Sequence, residues 1–107
     1  MAGKLIKAIE RGEELEWRNG SYALFKLIWR NLERALPPDY AVEGEWIGPD
    51  GDSVMHQVRI FKDGELVAVL NYWHEKSFYT GVCGNHREGV IALIPLKPQG
   101  GSCGVRG

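Results

Sequence analysis

Residues 53–73 read SVMHQVRIFKDGELVAVLNYW, and this stretch decides the fold. Two runs rich in β-branched and aromatic residues flank Asp63-Gly64, a dipeptide that readily takes the positive φ angles of a type I′ turn. The stretch therefore predicts a β-hairpin. Counting outward from a two-residue turn gives the pairs Ile60–Val67, Val58–Val69, His56–Asn71 and Val54–Trp73.

Further strands are expected on both sides of this hairpin. Residues 40–46 alternate apolar with other side chains, and Pro-Asp-Gly at 49–51 suits a three-residue hairpin loop with the glycine in the left-handed conformation. Glu-Lys at 75–76 suits another turn, which leads to strands over residues 78–82 and 90–95. These loops predict a five-stranded antiparallel meander in which one row contains Gly44, His56, Asn71 and Thr80.

Two helices are predicted before the strands. Residues 2–11 place apolar side chains at helical spacing among charged ones, and residues 22–36 carry apolar side chains around most of a helix. The second helix should end at the two prolines at 37–38, which cannot continue the hydrogen-bond ladder. Residues 14–18, ELEWR, fit either a helical turn or a short strand. With both helices packed on one face of the sheet, the chain is expected to be an α+β domain.

Length and composition fit one domain. The 107 residues are 44% hydrophobic and 25% charged, which is ordinary for a globular fold. We expect a single domain over residues 1–96 and a flexible Gly-rich tail over residues 97–107. The expected outline, helices on a curved antiparallel sheet, is similar to cystatin-like and NTF2-like folds. This resemblance concerns architecture alone and assigns no role to any residue.

The charge composition disfavours nucleic acid and membranes as partners. Thirteen basic residues against fourteen acidic ones give a net charge of -1, so no overall field attracts phosphate. No apolar run approaches the roughly 18–20 residues that span a bilayer, and the N-terminus is charged too early for a signal peptide. A cytoplasmic protein is expected. Few Thr and Gln beside many Glu, Lys and Arg is a composition typical of thermophilic proteins.

A polar row between two apolar rows is the first candidate site. The predicted register places small and polar residues beside aromatic ones that could stack a flat ligand. Alternatively, the buried polar groups could simply satisfy one another. No acidic residue or cysteine shares the predicted face of His56 to activate it as a base. The candidate ligand-binding residues are Gly44, Trp46, His56, Asn71, Trp73, Phe78 and Thr80.

The opposite face of the predicted sheet is the second candidate. Because the two helices can cover only one face, apolar residues on the other face would remain exposed, and such an area usually marks an association surface. The alternative is scattered solvent-facing hydrophobic residues. The candidate interface residues are Phe61, Leu66, Leu70, Tyr72, Tyr79, Ile91 and Leu93.

Zinc is a candidate ion, because the chain contains four residues of types that bind it: His74, Cys83, His86 and Cys103. His74 and Cys83 fall at opposite ends of the predicted fourth strand, roughly 20 Å apart at ~3.3 Å per residue, so the four cannot share one ion. Cys83, His86 and Cys103 could still meet if the tail folds back, but a single Cys-x-x-His is a weak signal for zinc, and no metal site is predicted. Cys83 and Cys103 could form a disulfide or remain free thiols.

No catalytic or cofactor-binding motif occurs, and no cofactor is expected. The leading hypothesis is a small non-enzymatic interaction module that binds another protein or forms a homodimer through the outer face of its sheet. The alternative is a small-molecule or nucleotide binder, or a minor enzyme, that uses the pocket at His56, Asn71 and Thr80.

Overall fold

The computed structural model describes residues 2–75 and 89–96, and this part of the chain forms an α+β domain. The predicted fold class is confirmed, although the sheet has six strands rather than five. The elements in chain order are α1 (Ala2–Arg11), β1 (Leu15–Gly20), α2 (Tyr22–Ala35), β2 (Tyr40–Val42), β3 (Trp46–Asp50), β4 (Ser53–Lys62), β5 (Glu65–Glu75) and β6 (Gly89–Pro95).

The helices end where local chemistry requires. Gly12 follows α1 with a φ of 73°, a conformation that costs glycine little. Ser21 caps α2, because its hydroxyl accepts a hydrogen bond from the backbone N–H of Leu24 at 3.1 Å. At the other end Leu36 takes an extended conformation immediately before the two prolines. No helix in residues 2–75 and 89–96 is long and apolar enough to cross a membrane.

All strand pairs are antiparallel, and the sheet order is β1-β6-β5-β4-β2, with β3 also pairing with β4. Residues 14–18, which fitted two structures, contribute to the edge strand β1. The strand predicted over residues 78–82 falls outside the described residues. The prediction placed that strand between β5 and β6. These two strands instead pair directly with each other, with Asn71 opposite Ala92.

The central hairpin has the predicted turn but a different register. Asp63 and Gly64 have φ angles of 51° and 82°, as a type I′ turn requires, and Lys62 pairs with Glu65. A β-bulge then follows, so Ile60 pairs with Ala68 instead of Val67. From the bulge onward every predicted pair is wrong by one residue, and β5 presents the opposite set of side chains to the helices.

This slip determines which residues form the core. Helices α1 and α2 pack on one side of the sheet, here called the inner face, and the other side is called the outer face. The predicted core residues Val58 and Ile60 are fully buried on the inner face. Four predicted interface residues are also fully buried there, so their assignment to the outer face is wrong: Leu70, Tyr72, Ile91 and Leu93. Phe61 and Leu66 do lie on the outer face, and Tyr79 is outside the described residues.

A second irregularity interrupts the strand predicted over residues 40–46. Val42 pairs with Ile60 and Trp46 pairs with Gln57, so the three residues 43–45 lie opposite only two residues of β4. The following loop has two residues rather than the predicted three, although Gly51 has the expected positive φ of 64°. Consequently Ile47, rather than the predicted Gly44, lies opposite His56.

Candidate functional site

Four side chains form a continuous hydrogen-bonded chain between α2 and the sheet, here called the Tyr–Glu–His–His chain. The hydroxyl of Tyr22 donates to Oε1 of Glu45 at 2.9 Å, and Oε2 of Glu45 lies 2.5 Å from Nδ1 of His56. Nε2 of His56 lies 3.0 Å from Nε2 of His74. Nδ1 of His74 lies 2.9 Å from the backbone carbonyl oxygen of Glu75. Each member comes from a different element: Tyr22 from α2, Glu45 from the loop before β3, His56 from β4 and His74 from β5.

The Tyr–Glu–His–His chain is shielded from water. His56 and His74 are 5% and 4% exposed, and the side chain of Glu45 is 15% exposed. The ring of Tyr72 packs 5.3 Å from His56 and 5.2 Å from His74 between centroids, and the ring of Phe25 lies 6.0 Å from His56. Hydrogen bonds in such surroundings are electrostatically stronger than in water, and an unpaired member would be costly.

The acceptors around the two imidazoles restrict where their hydrogens lie. A carbonyl oxygen can only accept, so Nδ1 of His74 carries a hydrogen, and the Glu45 carboxylate likewise favours a hydrogen on Nδ1 of His56. The two Nε2 atoms lie 3.0 Å apart, so one of them donates a hydrogen bond to the other.

Tyr22 is the first member of the Tyr–Glu–His–His chain and donates its hydrogen bond to Glu45. Burial raises the pKa of its hydroxyl to about 12, and the hydrogen bond to Glu45 and the negative charge of Glu45 act in the same direction. Tyr22 therefore stays neutral near pH 7 and remains a donor to Oε1. Both oxygens of Glu45 are thus held in place, one by Tyr22 and the other by His56.

The partly exposed side of Glu45 borders a groove along α2, here called the α2 groove. It has a volume of about 230 Å³ and is lined by Lys26, Trp29, Arg30, Glu33 and Glu45. The indole Nε1 of Trp29 is buried and has no hydrogen-bond partner within residues 2–75 and 89–96. Buried donors are almost always paired, so this one calls for an explanation.

The polar row predicted from the sequence does not form. His56 is buried on the inner face, but Asn71 lies on the outer face, where its Oδ1 accepts from Nε2 of Gln57 at 2.9 Å. Trp73 is also on the outer face and donates to Asp50 at 2.8 Å. The bulge in the β4–β5 pairing causes this separation, because it inverts the faces of β5 relative to β4.

The remaining predicted ligand residues do not gather around His56 either. Trp46 is 47% exposed on the outer face, and its ring lies over Gly48. Gly44 is exposed, with open space where a Cβ would be. Phe78 and Thr80 are outside the described residues, as are Cys83 and Cys103.

Sequence reasoning did not place Tyr22, Glu45 and His74 in one site with His56. The expectation that no acidic residue shares the face of His56 is wrong, because the extra residue in 43–45 lets Glu45 reach the inner face. His74 joins that face through the bulge in β5. A signal for the first irregularity was present, since Gly44 interrupts a strand pattern between two glutamates and glycine inside a strand often marks a bulge.

The described residues contain no group of three or more His, Cys, Asp and Glu side chains placed to hold a metal ion. Comparison with protein-family models, with curated proteins and with solved structures gives no match for this chain.

Proposed function

We propose that the protein binds a small anionic molecule in the α2 groove, next to the Tyr–Glu–His–His chain. The observation that carries this proposal is the buried, unpartnered Nε1 of Trp29, a residue that lines the α2 groove together with Lys26 and Arg30. Leaving a buried donor unpaired costs about 1–3 kcal/mol, which an acceptor atom of a ligand would recover. Two cations beside an unused donor favour a ligand with a phosphate or carboxylate group.

The acidic side of the groove defines the rest of the ligand. Glu33 and Glu45 line it together with the two cations, so a pure anion would meet repulsion there. If the ligand also carries hydroxyl or amino groups, these carboxylates would instead accept hydrogen bonds from them. The α2 groove thus suits a small molecule that combines one anionic group with hydrogen-bond donors.

The fixed position of Glu45 adds to the fit. Tyr22 and His56 hold its two oxygens, so a ligand does not have to order this side chain on binding. The groove volume of about 230 Å³ lies below the roughly 300–1,000 Å³ of sites for drug-sized ligands. We therefore expect a ligand of metabolite size.

The test is a ligand titration in which binding is detected by Trp fluorescence and by NMR. The probes are inorganic phosphate, small hydroxy acids and small sugar phosphates. Arg30→Gln should weaken binding of the best probe by about tenfold or more, because it removes a charge-assisted bond. Arg34→Gln is the matched control, since Arg34 is exposed on the same helix but does not line the groove. Equal affinities in the two variants, or no probe that binds, would contradict the proposal.

Trp29→Phe provides a second arm of this experiment. It keeps an aromatic ring and removes the unpaired N–H, so the melting temperature should stay equal or rise while binding weakens. A variant that loses stability and keeps its affinity would show that the indole N–H serves the fold rather than a ligand.

A second candidate function is self-association through the outer face. Trp46 is 47% exposed there and Leu66 is 37% exposed, while both described helices pack on the inner face. Trp73 and Phe61 add half-buried aromatic surface on the same side. A second copy of the chain is the proposed occupant, because a net charge of -1 gives little repulsion between copies and the same exposed aromatic and aliphatic side chains would meet across a two-fold axis.

Self-association predicts a mass near twice 12.0 kDa by light scattering. Trp46→Glu should give a folded monomer, because it places a charge in the proposed contact. Ile47→Glu should remain dimeric, since Ile47 is equally exposed but points to the inner side of the sheet. A wild-type mass near 12.0 kDa at high concentration would rule this candidate out.

A further inference from the structure

We infer that the protein binds a small amphipathic amine, a molecule with a positively charged nitrogen and a short aliphatic chain, in a cavity beside the β4–β5 turn. The cavity, here called the turn cavity, has a volume of about 540 Å³, and its apolar wall consists of Ile9, Tyr40, Val67 and Leu96. It shares no lining residue with the α2 groove, so the inference is independent of the ligand proposed there. Sites for small ligands have volumes of roughly 300–1,000 Å³, so the turn cavity has a suitable size.

Backbone hydrogen bonds hold together the elements around the turn cavity. Val67 is the extra residue of the β-bulge, and its carbonyl oxygen accepts a hydrogen bond from the backbone N–H of Leu96 at 2.8 Å. The backbone N–H of Asp63 donates to the carbonyl oxygen of Asp39 at 2.9 Å, which ties the turn to the start of β2. Ile9 belongs to the hydrophobic core, and Val67 packs against that core. A ligand therefore meets walls that are already ordered, which lowers the entropic cost of binding.

The charged side of the turn cavity is acidic. Its four charged side chains are all exposed, and three carboxylates against one ammonium give a net charge of -2: Glu10, Lys62, Asp63 and Glu65. Within residues 2–75 and 89–96, none of the three carboxylates has an ion-pair partner. Lys62 does not neutralise them, because its Nζ lies over the ring of Tyr40, 5.5 Å from the centroid. The carboxylates therefore attract a bound cation that no described side chain replaces.

The lining suits an organic cation rather than a metal ion. The three carboxylates of the turn cavity are not placed to hold a metal ion together, as is true of every group of acidic, His and Cys side chains in the described residues. An ammonium group on a flexible chain can instead donate charge-assisted hydrogen bonds to one or two of them. The apolar wall would bury the aliphatic chain, and each methylene group buried there should tighten binding by about two- to fourfold.

The experiment titrates the full-length protein with butylammonium, hexylammonium and octylammonium, and binding is detected by the NMR shifts of the backbone amides of Val67 and Leu96. The dissociation constant should fall at each step of this series. Hexanol is the uncharged probe with the chain length of hexylammonium, and it should bind about tenfold more weakly because it makes no charge-assisted bond. The inference is wrong if hexanol binds as tightly as hexylammonium, if affinity is independent of chain length, or if these amides do not shift.

Charge-neutral variants test the acidic side of the cavity. Asp63→Asn and Glu10→Gln should leave the fold intact, because Asn accepts the positive φ of residue 63 and Gln is a good helix former. The double variant should weaken hexylammonium binding by about tenfold. The matched control is Glu13→Gln with Glu14→Gln, which removes two charges from exposed residues that do not line the turn cavity. Equal weakening in both double variants would show a general charge effect and overturn the inference.

A third variant tests the location of the ligand. Leu96→Trp adds bulk to the apolar wall and should abolish hexylammonium binding, while the melting temperature stays close to wild type because Leu96 is 37% exposed. Unchanged affinity in a folded Leu96→Trp protein would place the amine outside the turn cavity and contradict the inference.

Discussion

Val58→Lys should leave the chain unfolded at room temperature, whereas Arg59→Ala should melt within a few degrees of wild type. Val58 is fully buried in the middle of β4, opposite Leu70, and an ammonium group there would have no partner. Such a charge costs several kcal/mol, which is about the whole stability of a domain of this size. Arg59 points to the outer face and is exposed. Circular dichroism in urea measures both variants.

A small loss in Val58→Lys, equal to that in Arg59→Ala, would mean that the assignment of inner and outer faces in β4 is incorrect. The outcome would not depend on where β5 is bulged, because Val58 is placed on the inner face by its own burial and by its helix contacts.

Glu45→Ala should lower the free energy of unfolding by about 3–5 kcal/mol, since it removes one partner of a buried hydrogen-bonded pair. The change leaves the hydroxyl of Tyr22 and Nδ1 of His56 without their acceptor. Glu43→Ala is the matched control two residues away, where the side chain is half exposed and its ion pair with Arg59 spans 3.7 Å. That variant should change stability by about 0.5 kcal/mol or less.

Linear extrapolation of urea unfolding gives both values, with unchanged slopes as the sign that the native fold persists. Equal values for Glu45→Ala and Glu43→Ala would show that the Tyr–Glu–His–His chain contributes nothing beyond an ordinary surface contact. Glu45→Gln should fall between the two, because an amide can still accept one hydrogen bond but carries no charge.

Local signals in the sequence were sufficient for both described helices, for the turn of the central hairpin and for part of the core. Asp63-Gly64 specified its turn because few other dipeptides accept two positive φ angles, and the two prolines at 37–38 ended α2 for steric reasons. Val58 and Ile60 were assigned correctly to the helix side of the sheet. Each of these features depends on residues close together in the chain.

The bulge in the β4–β5 pairing could not be predicted in the same way. Residues 66–70, LVAVL, are apolar on both faces, so shifting the pairing by one residue buries about as much apolar surface as leaving it unshifted. The observed register brings Tyr72 to the inner face, where its ring stacks 5.8 Å from that of Phe25 in α2, a contact that the alternation of residues does not encode. His56 was therefore recognised as unusual, while its partners Glu45 and His74 were not.

The pairing of β1 with β6 has a consequence for how fast the chain folds. Leu15 lies opposite Leu93, 78 positions later, so this pair forms only after nearly all the described chain has been brought together. The β4–β5 hairpin needs only neighbouring residues and can form early. Closing long loops is entropically slow, and proteins dominated by such contacts fold in milliseconds to seconds. On the ribosome, β1 therefore has no partner strand of the described sheet until β6 has emerged, and both edges of its backbone stay unpaired until then.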